Sequence, residues 1–193
     1  VGNLNRILLR FRRGKIALGV DIQEMFLNVR MDPKSTKYHR FIWISEGRLR
    51  IFEFRVHLFG NSGSPSIAVF VLKSVAEEMR EEFPVAAETV AESSLMDDVL
   101  DSYRDLTEAK QALGGLLRIF EAAGFKAHKF ISNSGELLES VETGLRAKTL
   151  TLDLPGIVES DLPNVKVLGL VYLAQQDEFA FRFEHKGFDR WTR

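Results

Sequence analysis

Apolar side chains recur three or four residues apart in three long stretches of the chain, which is the spacing of an amphipathic helix. Gly14 and Gly124 end the first and third stretches, as glycine commonly ends helices. Ser64 and Pro65 open the second, as a capping hydroxyl followed by a proline at the first helical position. The pattern predicts helices over residues 3–13, 64–83 and 107–123, and a helical turn over residues 135–141.

Short apolar runs and alternating segments between these stretches are typical of β-strands. Residues 15–21 form a compact apolar run that ends on a carboxylate, Asp21. Glu46 and Gly47 separate two apolar segments and indicate a β-hairpin. The predicted strands cover residues 15–21, 38–44, 49–56, 89–96, 99–103, 126–131, 165–172 and 179–183, with a turn at 32–35, a loop near Pro84 and a polar connection that holds Pro155 and Pro163.

The order of these elements favours a single α+β domain over residues 1–193, with helices packed on one face of a largely antiparallel sheet and an additional β-hairpin. A chain of 193 residues, 45% of them hydrophobic, is long enough for one sizeable core. It contains no cysteine, which excludes disulfides, thiolate zinc sites, iron–sulfur clusters and a cysteine nucleophile. Its four histidines lie far apart in sequence, which does not favour a histidine-rich metal site.

Charge is distributed unevenly along the chain, although the net charge is only −1. Residues 1–60 hold 12 Lys and Arg against 5 Asp and Glu, whereas residues 61–193 hold 14 against 22. The densest basic cluster, at residues 6–15, either contacts nucleic-acid phosphates or forms a solvated helix end. No stretch is apolar enough to span a bilayer, and no signal-peptide pattern opens the chain, so no membrane partner is expected.

Three aspartates carry the strongest indication of chemistry. Asp97 and Asp98 stand between two short apolar segments, where a tight turn is expected, and such a pair is by default a solvated turn. Asp21 changes this interpretation because it ends an apolar strand. Three aspartates on adjacent strands can hold two Mg²⁺ ions about 3.5–4 Å apart, the arrangement that serves nucleotidyl transfer to a primer 3′-hydroxyl.

Six segments resemble, in order and spacing, the palm of a reverse transcriptase, and specifically that of the BEL/Pao long-terminal-repeat retrotransposons. The segments are residues 8–26 (LLRFRRGKIALGVDIQEMF), 41–43 (FIW), 56–65 (VHLFGNSGSP), 95–102 (LMDDVLDS), 124–134 (GFKAHKFISNS) and 168–172 (LGLVY). Each motif is weak alone, and their shared order makes the match strong. The resemblance implies a palm-like antiparallel sheet and RNA-directed DNA polymerase activity.

The resemblance also implies roles for individual residues. Asp21 and Asp97 are the expected principal ligands of two Mg²⁺ ions, or of Mn²⁺, with the Ile22 carbonyl contributing and Asp98 completing the carboxylate set. Lys129 matches the family lysine that protonates the pyrophosphate leaving group.

Further matches concern the nucleotide and the nucleic acid. Phe26 matches an aromatic steric gate that excludes the ribose hydroxyl, although without the resemblance an ordinary core phenylalanine is strongly favoured at this position. The other residues expected at the nucleotide are Phe59, Gly60, Ser64, Pro65 and Met96. Those of the primer grip are Leu168, Gly169 and Tyr172, and those in contact with nucleic acid are Arg10, Arg12 and Arg13.

We therefore expect a reverse transcriptase domain of a retrotransposon polyprotein, located inside the cell in the cytoplasm or in a retroelement particle. Its expected partners are an RNA or DNA template with a primer, deoxynucleoside triphosphates and the remainder of the polyprotein. Leu95 stands where the family has an aromatic residue, and Tyr172 where tryptophan is common. With the fingers incomplete and the thumb and ribonuclease H absent, the isolated chain is expected to polymerise poorly.

Two other functions compete with this one. The first is a catalytically degenerate or domesticated retroelement remnant that acts as a nucleic-acid-binding module. The second is an RNA-recognition module, which reads bases with a conserved aromatic octet on one strand. No such octet occurs in the sequence, and this alternative leaves the three aspartates unexplained.

Overall fold

The computed structural model describes residues 3–149 and 162–181; the predicted features at Pro155 and Phe183 lie outside them. The α-helices in this part are α1 (Leu4–Phe11), α2 (Pro33–Thr36), α3 (Ser64–Glu78), α4 (Pro84–Ser93), α5 (Leu106–Ala122) and α6 (Gly135–Glu139). The strands are β1 (Ile16–Gln23), β2 (Arg40–Ser45), β3 (Arg48–Glu53), β4 (Ser94–Leu95), β5 (Asp98–Tyr103), β6 (Lys126–Ser132), β7 (Asn164–Val167), β8 (Leu170–Leu173) and β9 (Glu178–Ala180). None of these helices is long and apolar enough to cross a membrane.

Strand β1 forms the centre of a four-stranded antiparallel sheet with the order β4-β5-β1-β6. Its apolar side chains are buried on both faces of the sheet, which explains why the sequence there is a continuous apolar run. Gly19 lies between Leu100 and Ile131, and a Cβ at this position would come within 2.7 and 2.6 Å of their side chains. The neighbouring side chains therefore fill the space that Gly19 leaves.

The helices cover the face of the sheet that carries Asp101 and Tyr103. Tyr103 pairs its hydroxyl with Thr89 of α4 at 3.0 Å, and Ser93 of α4 donates to Asp101 at 2.7 Å. Helix α5 packs beside α4 and contacts β1, β5 and β6. This mixture of helices and an antiparallel sheet confirms the predicted α+β class.

For one segment the predicted type of secondary structure is wrong. Residues 84–93 form helix α4, whereas a loop near Pro84 and a strand over 89–96 were expected. Pro84 opens the helix at its first turn, where a proline fits because its missing N–H has no partner there. Ala86, Ala87, Val90 and Ser93 are buried at helical spacing, and only the two residues of β4 remain extended.

Most other elements agree with their predictions apart from their ends, although residues 33–36 form a short helix within the predicted turn. Helix α3 has Gly63, not Ser64, as its N-cap, so the Ser64 hydroxyl does not cap it and instead lies 3.4 Å from His57 Nδ1. Residues 165–172 form two strands joined by a turn rather than one strand. The β2–β3 hairpin turns at Glu46 and Gly47, which both have positive φ (52° and 70°), as a two-residue hairpin turn of the mirror-image type requires.

Substitutions at two adjacent glycines of α5 can test how closely α5 packs on α4. A Cβ on buried Gly115 would lie 2.6 Å from the Ala86 Cβ, whereas exposed Gly114 has nothing within 4 Å. We expect Gly115→Ala to lower the free energy of unfolding by about 1–3 kcal/mol through overpacking. Gly114→Ala should raise it by about 0.5–1 kcal/mol, because alanine favours a helix interior over glycine. Urea denaturation of both variants measures the change in the free energy of unfolding. A change of the same sign and size in the two variants would contradict the close approach of α4 to Gly115.

Candidate active site

Pairing between β1 and β5 brings two of the predicted metal ligands together. Asp21 lies directly opposite Asp98 in the antiparallel register, which places both carboxylates on the same face of the sheet. Asp97 occupies the two-residue turn between β4 and β5 with Met96, whose φ of 53° is left-handed. The backbone N–H of Ile22 donates to the Asp97 carbonyl at 2.7 Å, so this turn is joined to the end of β1.

A bulge in β6 adds the side chains of His128 and Lys129 to the site. Between the pairs Gly19–Ile131 and Asp21–His128, β6 has one more residue than β1, and Lys129 has a left-handed φ of 52°. Neighbouring side chains on a regular strand point to opposite faces, but a bulge can redirect one of them. Lys129 Nζ lies 2.8 Å from Asp21 Oδ2, and the ring Nε2 of His128 is hydrogen-bonded to Asp21 Oδ1.

The electrostatics of the site are dominated by the three carboxylates. The pKa of Asp98 is raised from its ordinary value to about 6, first by burial and then by repulsion from Asp97 and Asp21. The nearby Lys129 ammonium opposes this shift of the Asp98 pKa without cancelling it. The site therefore favours an added positive charge, whether a proton or a metal cation.

A cavity of about 480 Å³ opens beside the carboxylates and extends under strand β7. Leu100, Ile131, Val165 and Val167 contribute apolar wall to it. Its polar part joins Asp21 and Asp98 to a set of basic side chains, namely His128, Lys129, Arg146, Lys148 and Lys166. The carboxylates attract cations, and the basic side chains on the other side of the cavity attract anions. A polyanion that carries a metal ion could bind to both groups at once.

The fit of the site to a metal ion is partial. Carboxylate oxygens are the ligands that Mg²⁺ prefers, and the raised pKa of Asp98 indicates carboxylates in need of positive charge. In the described part of the chain, however, no three or more His, Asp or Glu side chains are arranged to hold a metal ion. Both oxygens of Asp21 are engaged by His128 and Lys129. The type of donor fits, but the side chains are not grouped into a ligand set of three or more among the described residues.

The residues expected around the nucleotide form a second group. Phe26 is 7% exposed, in a 3₁₀ helix (Met25–Asn28) just after β1, and its ring meets that of Phe59 edge-on at 4.9 Å. Phe59 itself is 66% exposed. Gly60 has a φ of 90° in the loop before α3, and Ser64 is buried in the first turn of that helix, followed by Pro65. Phe26 thus lies in the core and also touches an exposed ring.

The expected primer-grip residues lie in the β7–β8 hairpin. Leu168 and Gly169 form its turn with φ values of 49° and 87°. Tyr172 is fully buried, packs edge-on against Phe11 at 4.9 Å and donates its hydroxyl proton to Asp177 at 2.6 Å. Its role in the described structure is to join this hairpin to α1.

The basic cluster before β1 is not brought to the carboxylates. Arg10 donates to Asp101 and to the Ser93 hydroxyl, both at 2.9 Å, and Asp101 lies on the opposite face of β5 from Asp98. Arg12 approaches Asp177 at 3.8 Å, and Arg13 borders a separate cavity that Arg10 and Asp101 also line. Arg10 is thereby occupied inside the fold, which leaves Arg12 and Arg13 as the more accessible cations of the three.

Several residues of the site carry no signal in the sequence. His128 is an isolated histidine in a predicted strand, and only the bulge at Lys129 turns both of these neighbours to Asp21. Arg146, Lys148 and Lys166 reach the cavity through the packing of two distant segments. A register shift and a tertiary contact produce this basic wall, and neither can be derived from local periodicity.

Comparison with known proteins gives little further information. No family model matches the chain, and no curated protein matches it. Solved structures that match include the protease-reverse transcriptase of prototype foamy virus, a selenomethionine-labelled CSH mutant, with 21% identity and a TM-score of 0.48. The match covers 63% of this chain and 14% of the viral chain. The function must therefore be argued from the residues of this chain.

The raised pKa of Asp98 predicts a pH-dependent stability. The folded chain keeps the Asp98 proton to about pH 6, whereas an ordinary aspartate releases it near 3.8, so ionisation of Asp98 opposes folding. Stability from this residue is present at low pH and is lost as the pH rises through this range. We therefore expect Asp98→Asn to gain stability over the unsubstituted chain between about pH 4 and pH 7, as measured by urea denaturation.

The matched control for this experiment is Asp105→Asn. Asp105 caps α5 at the other end of β5, and asparagine caps helices equally well. Asp105 is exposed and lies away from the three carboxylates, so the gain expected for Asp98→Asn should not appear in this variant. The raised pKa of Asp98 would be contradicted if the difference in unfolding free energy between Asp98→Asn and the unsubstituted chain did not change with pH.

Proposed function

We propose that the chain is the palm of an RNA-directed DNA polymerase that extends a primer by two-metal nucleotidyl transfer. The observation that carries this proposal is the position of Asp21 opposite Asp98, with Asp97 in the adjoining turn, beside a cavity with a basic wall. The ordered motifs that resemble the BEL/Pao reverse transcriptases support it independently. The proposed substrates are deoxynucleoside triphosphates and a primed RNA or DNA template.

The carboxylates are the proposed metal site. Asp21, Asp97 and Asp98, with the Ile22 carbonyl, would hold two Mg²⁺ or Mn²⁺ ions, which supply charge neutralisation for the attacking 3′-oxygen and the leaving pyrophosphate. His128 and Lys129 orient the Asp21 carboxylate from the opposite strand. In the reaction, the primer 3′-oxygen bonds to the α-phosphorus, the bond to the pyrophosphate breaks, and the hydroxyl proton passes to solvent.

Lys129 has a second proposed role as proton donor to the pyrophosphate. Its ammonium lies at the carboxylates and borders the cavity, and its side chain is 61% exposed. A cation at this place can hold a proton next to a leaving group that gains negative charge. Arg146, Lys148 and Lys166 would hold the triphosphate from the other side of the cavity.

The second candidate is a degenerate retroelement domain that binds nucleic acid without catalysis. Two observations favour it: both oxygens of Asp21 are already engaged by His128 and Lys129, and Leu95 replaces an aromatic residue of the family motif. Both candidates predict nucleic-acid binding. Only the polymerase requires metal binding at Asp97, so metal binding separates them.

The decisive substitutions are Asp21→Asn and Asp97→Asn. In this chain we expect each to abolish Mn²⁺ binding, measured by calorimetry. In a longer chain that includes fingers and thumb, each should lower Mg²⁺-dependent single-nucleotide incorporation at a primed RNA template by at least about 100-fold, because each removes a charge placed for the transition state. Asp105→Asn is the matched control and should retain both. Incorporation that survives Asp97→Asn would contradict the polymerase. Absent Mn²⁺ binding in the unsubstituted chain would favour the degenerate domain.

The proposed steric gate makes a separate prediction about sugar selection. Phe26→Ala should lower stability by about 3–5 kcal/mol, as for a buried phenylalanine, and should raise the ratio of ribonucleotide to deoxynucleotide incorporation. Phe120→Ala removes a fully buried phenylalanine from α5, so it should destabilise the chain similarly without changing that ratio. An unchanged ratio in a folded Phe26→Ala variant would assign Phe26 to the core alone.

A further inference from the structure

The β2–β3 hairpin exposes large apolar side chains to an unusual degree. Within the described part of the chain, its two strands pair only with each other. Backbone hydrogen bonds at its base, such as Phe54 N–H to the His39 carbonyl at 3.0 Å, join it to the rest of the fold. A hairpin that stands out in this way and presents aromatic and aliphatic groups on both faces is a candidate interaction surface.

The two faces of this hairpin differ in chemistry. Because directly opposed residues share a face, the cross-strand register assigns every side chain to one face or the other. One face is aliphatic and holds Ile42, Ile44, Leu49 and Ile51. The other, which we call the aromatic-cationic face, holds Phe41, Trp43, Arg48, Arg50 and Phe52.

The rings of the aromatic-cationic face are arranged so that a flat ligand can stack on them. Phe41 stacks on Phe52 with ring centroids 5.6 Å apart and an angle of 25° between the planes. The ring of Phe54 also packs on Phe41, with centroids 4.5 Å apart. Trp43 lies two residues further along β2, opposite Arg50, and is 64% exposed. Two ring positions about 7 Å apart thus follow one strand.

The charge of the hairpin complements a polyanion. Residues 40–53 contain three Arg and two Glu, and Lys37 and Arg55 flank them. Both glutamates are neutralised within the hairpin, Glu53 by Arg40 at 2.7 Å and Glu46 by Arg50. Among the described residues, Arg48 has no ion-pair partner. Its guanidinium is therefore available on the same face as Trp43.

We propose that the aromatic-cationic face binds single-stranded nucleic acid, with bases stacked on Trp43 and the Phe41–Phe52 pair and with phosphates near Arg48. Aromatic rings beside Arg48, a cation unpaired among the described residues, suit a single strand, because every base offers a ring face and every linkage a phosphate. The choice of nucleic acid as ligand rests on the proposed function, but the binding site is separate from the carboxylates. It also differs from the basic cluster at Arg10, Arg12 and Arg13.

The test measures the affinity of the full chain for a fluorescently labelled oligo(dT) or oligo(rU) by anisotropy, in EDTA, so that no catalysis is needed. Trp43→Ala should weaken binding at least about fivefold, and Trp43→Phe should restore most of it, because stacking needs a ring. Arg48→Gln should make binding less dependent on salt, with a log–log slope smaller by about 0.7. In a Trp191→Phe background, the oligonucleotide should quench the fluorescence of Trp43.

The controls separate this face from the fold of the hairpin and from the proposed polymerase. Ile44→Ala removes an equally exposed side chain from the opposite face and should leave the affinity unchanged. Asp105→Asn, at the start of α5 and away from both sites, should also leave it unchanged. Because the assay contains EDTA, it reports binding without the metal site, so failure of the polymerase and failure of this site are distinguishable. Circular dichroism checks that each variant is folded.

Three outcomes would overturn the proposal. The first is an affinity that is unchanged in both folded Trp43→Ala and Arg48→Gln. The second is an equal loss of affinity in Ile44→Ala, which would assign the effect to the hairpin as a whole. The third is quenching or burial of Trp43 by a second copy of the chain or by anionic vesicles, with no response to the oligonucleotide.

Discussion

The pairing of β1 with strands on both of its edges is the constraint on which the candidate site depends. β5 places Asp98 opposite Asp21 from one side, and β6 places His128 opposite it from the other. Gly19 leaves the space that Leu100 and Ile131 fill over this strand. Because the core fixes β1 on both faces, the carboxylate at its end has a defined position, and the groups around it are positioned relative to that one strand.

The polar part of the core follows from the same arrangement. Asp101, on the helix side of β5, is almost fully buried and accepts hydrogen bonds from Arg10 and Ser93. An unpaired buried carboxylate would be costly, so Arg10 is needed where it is. Strand β5 thus carries two aspartates with different surroundings. Asp101 joins α1 and α4 to the sheet through its hydrogen bonds, whereas Asp98, on the other face, forms no ion pair with any described residue.

Sequence patterns predicted the parts of the structure that local chemistry determines. The apolar run before Asp21, the hairpin at Glu46 and Gly47 and the α+β class are all as expected, because periodicity and turn residues specify them. Helix α4 was missed because Pro84 marks the start of a helix as readily as its end. The grouping of His128 and Lys129 and the inward pairing of Arg10 depend on register and on tertiary contacts, which no local pattern encodes.

The bulge in β6 has a consequence for how this site can vary between related chains. The two side chains that hold Asp21 do so because β6 contains one residue more than its partner at this point. The site is therefore sensitive to the length of β6 as well as to its residue types. Removing Phe130 would restore regular alternation and turn Lys129 away from Asp21. Insertions and deletions in this short segment are thus more damaging than most substitutions, and an alignment judged by residue identity alone would overlook them.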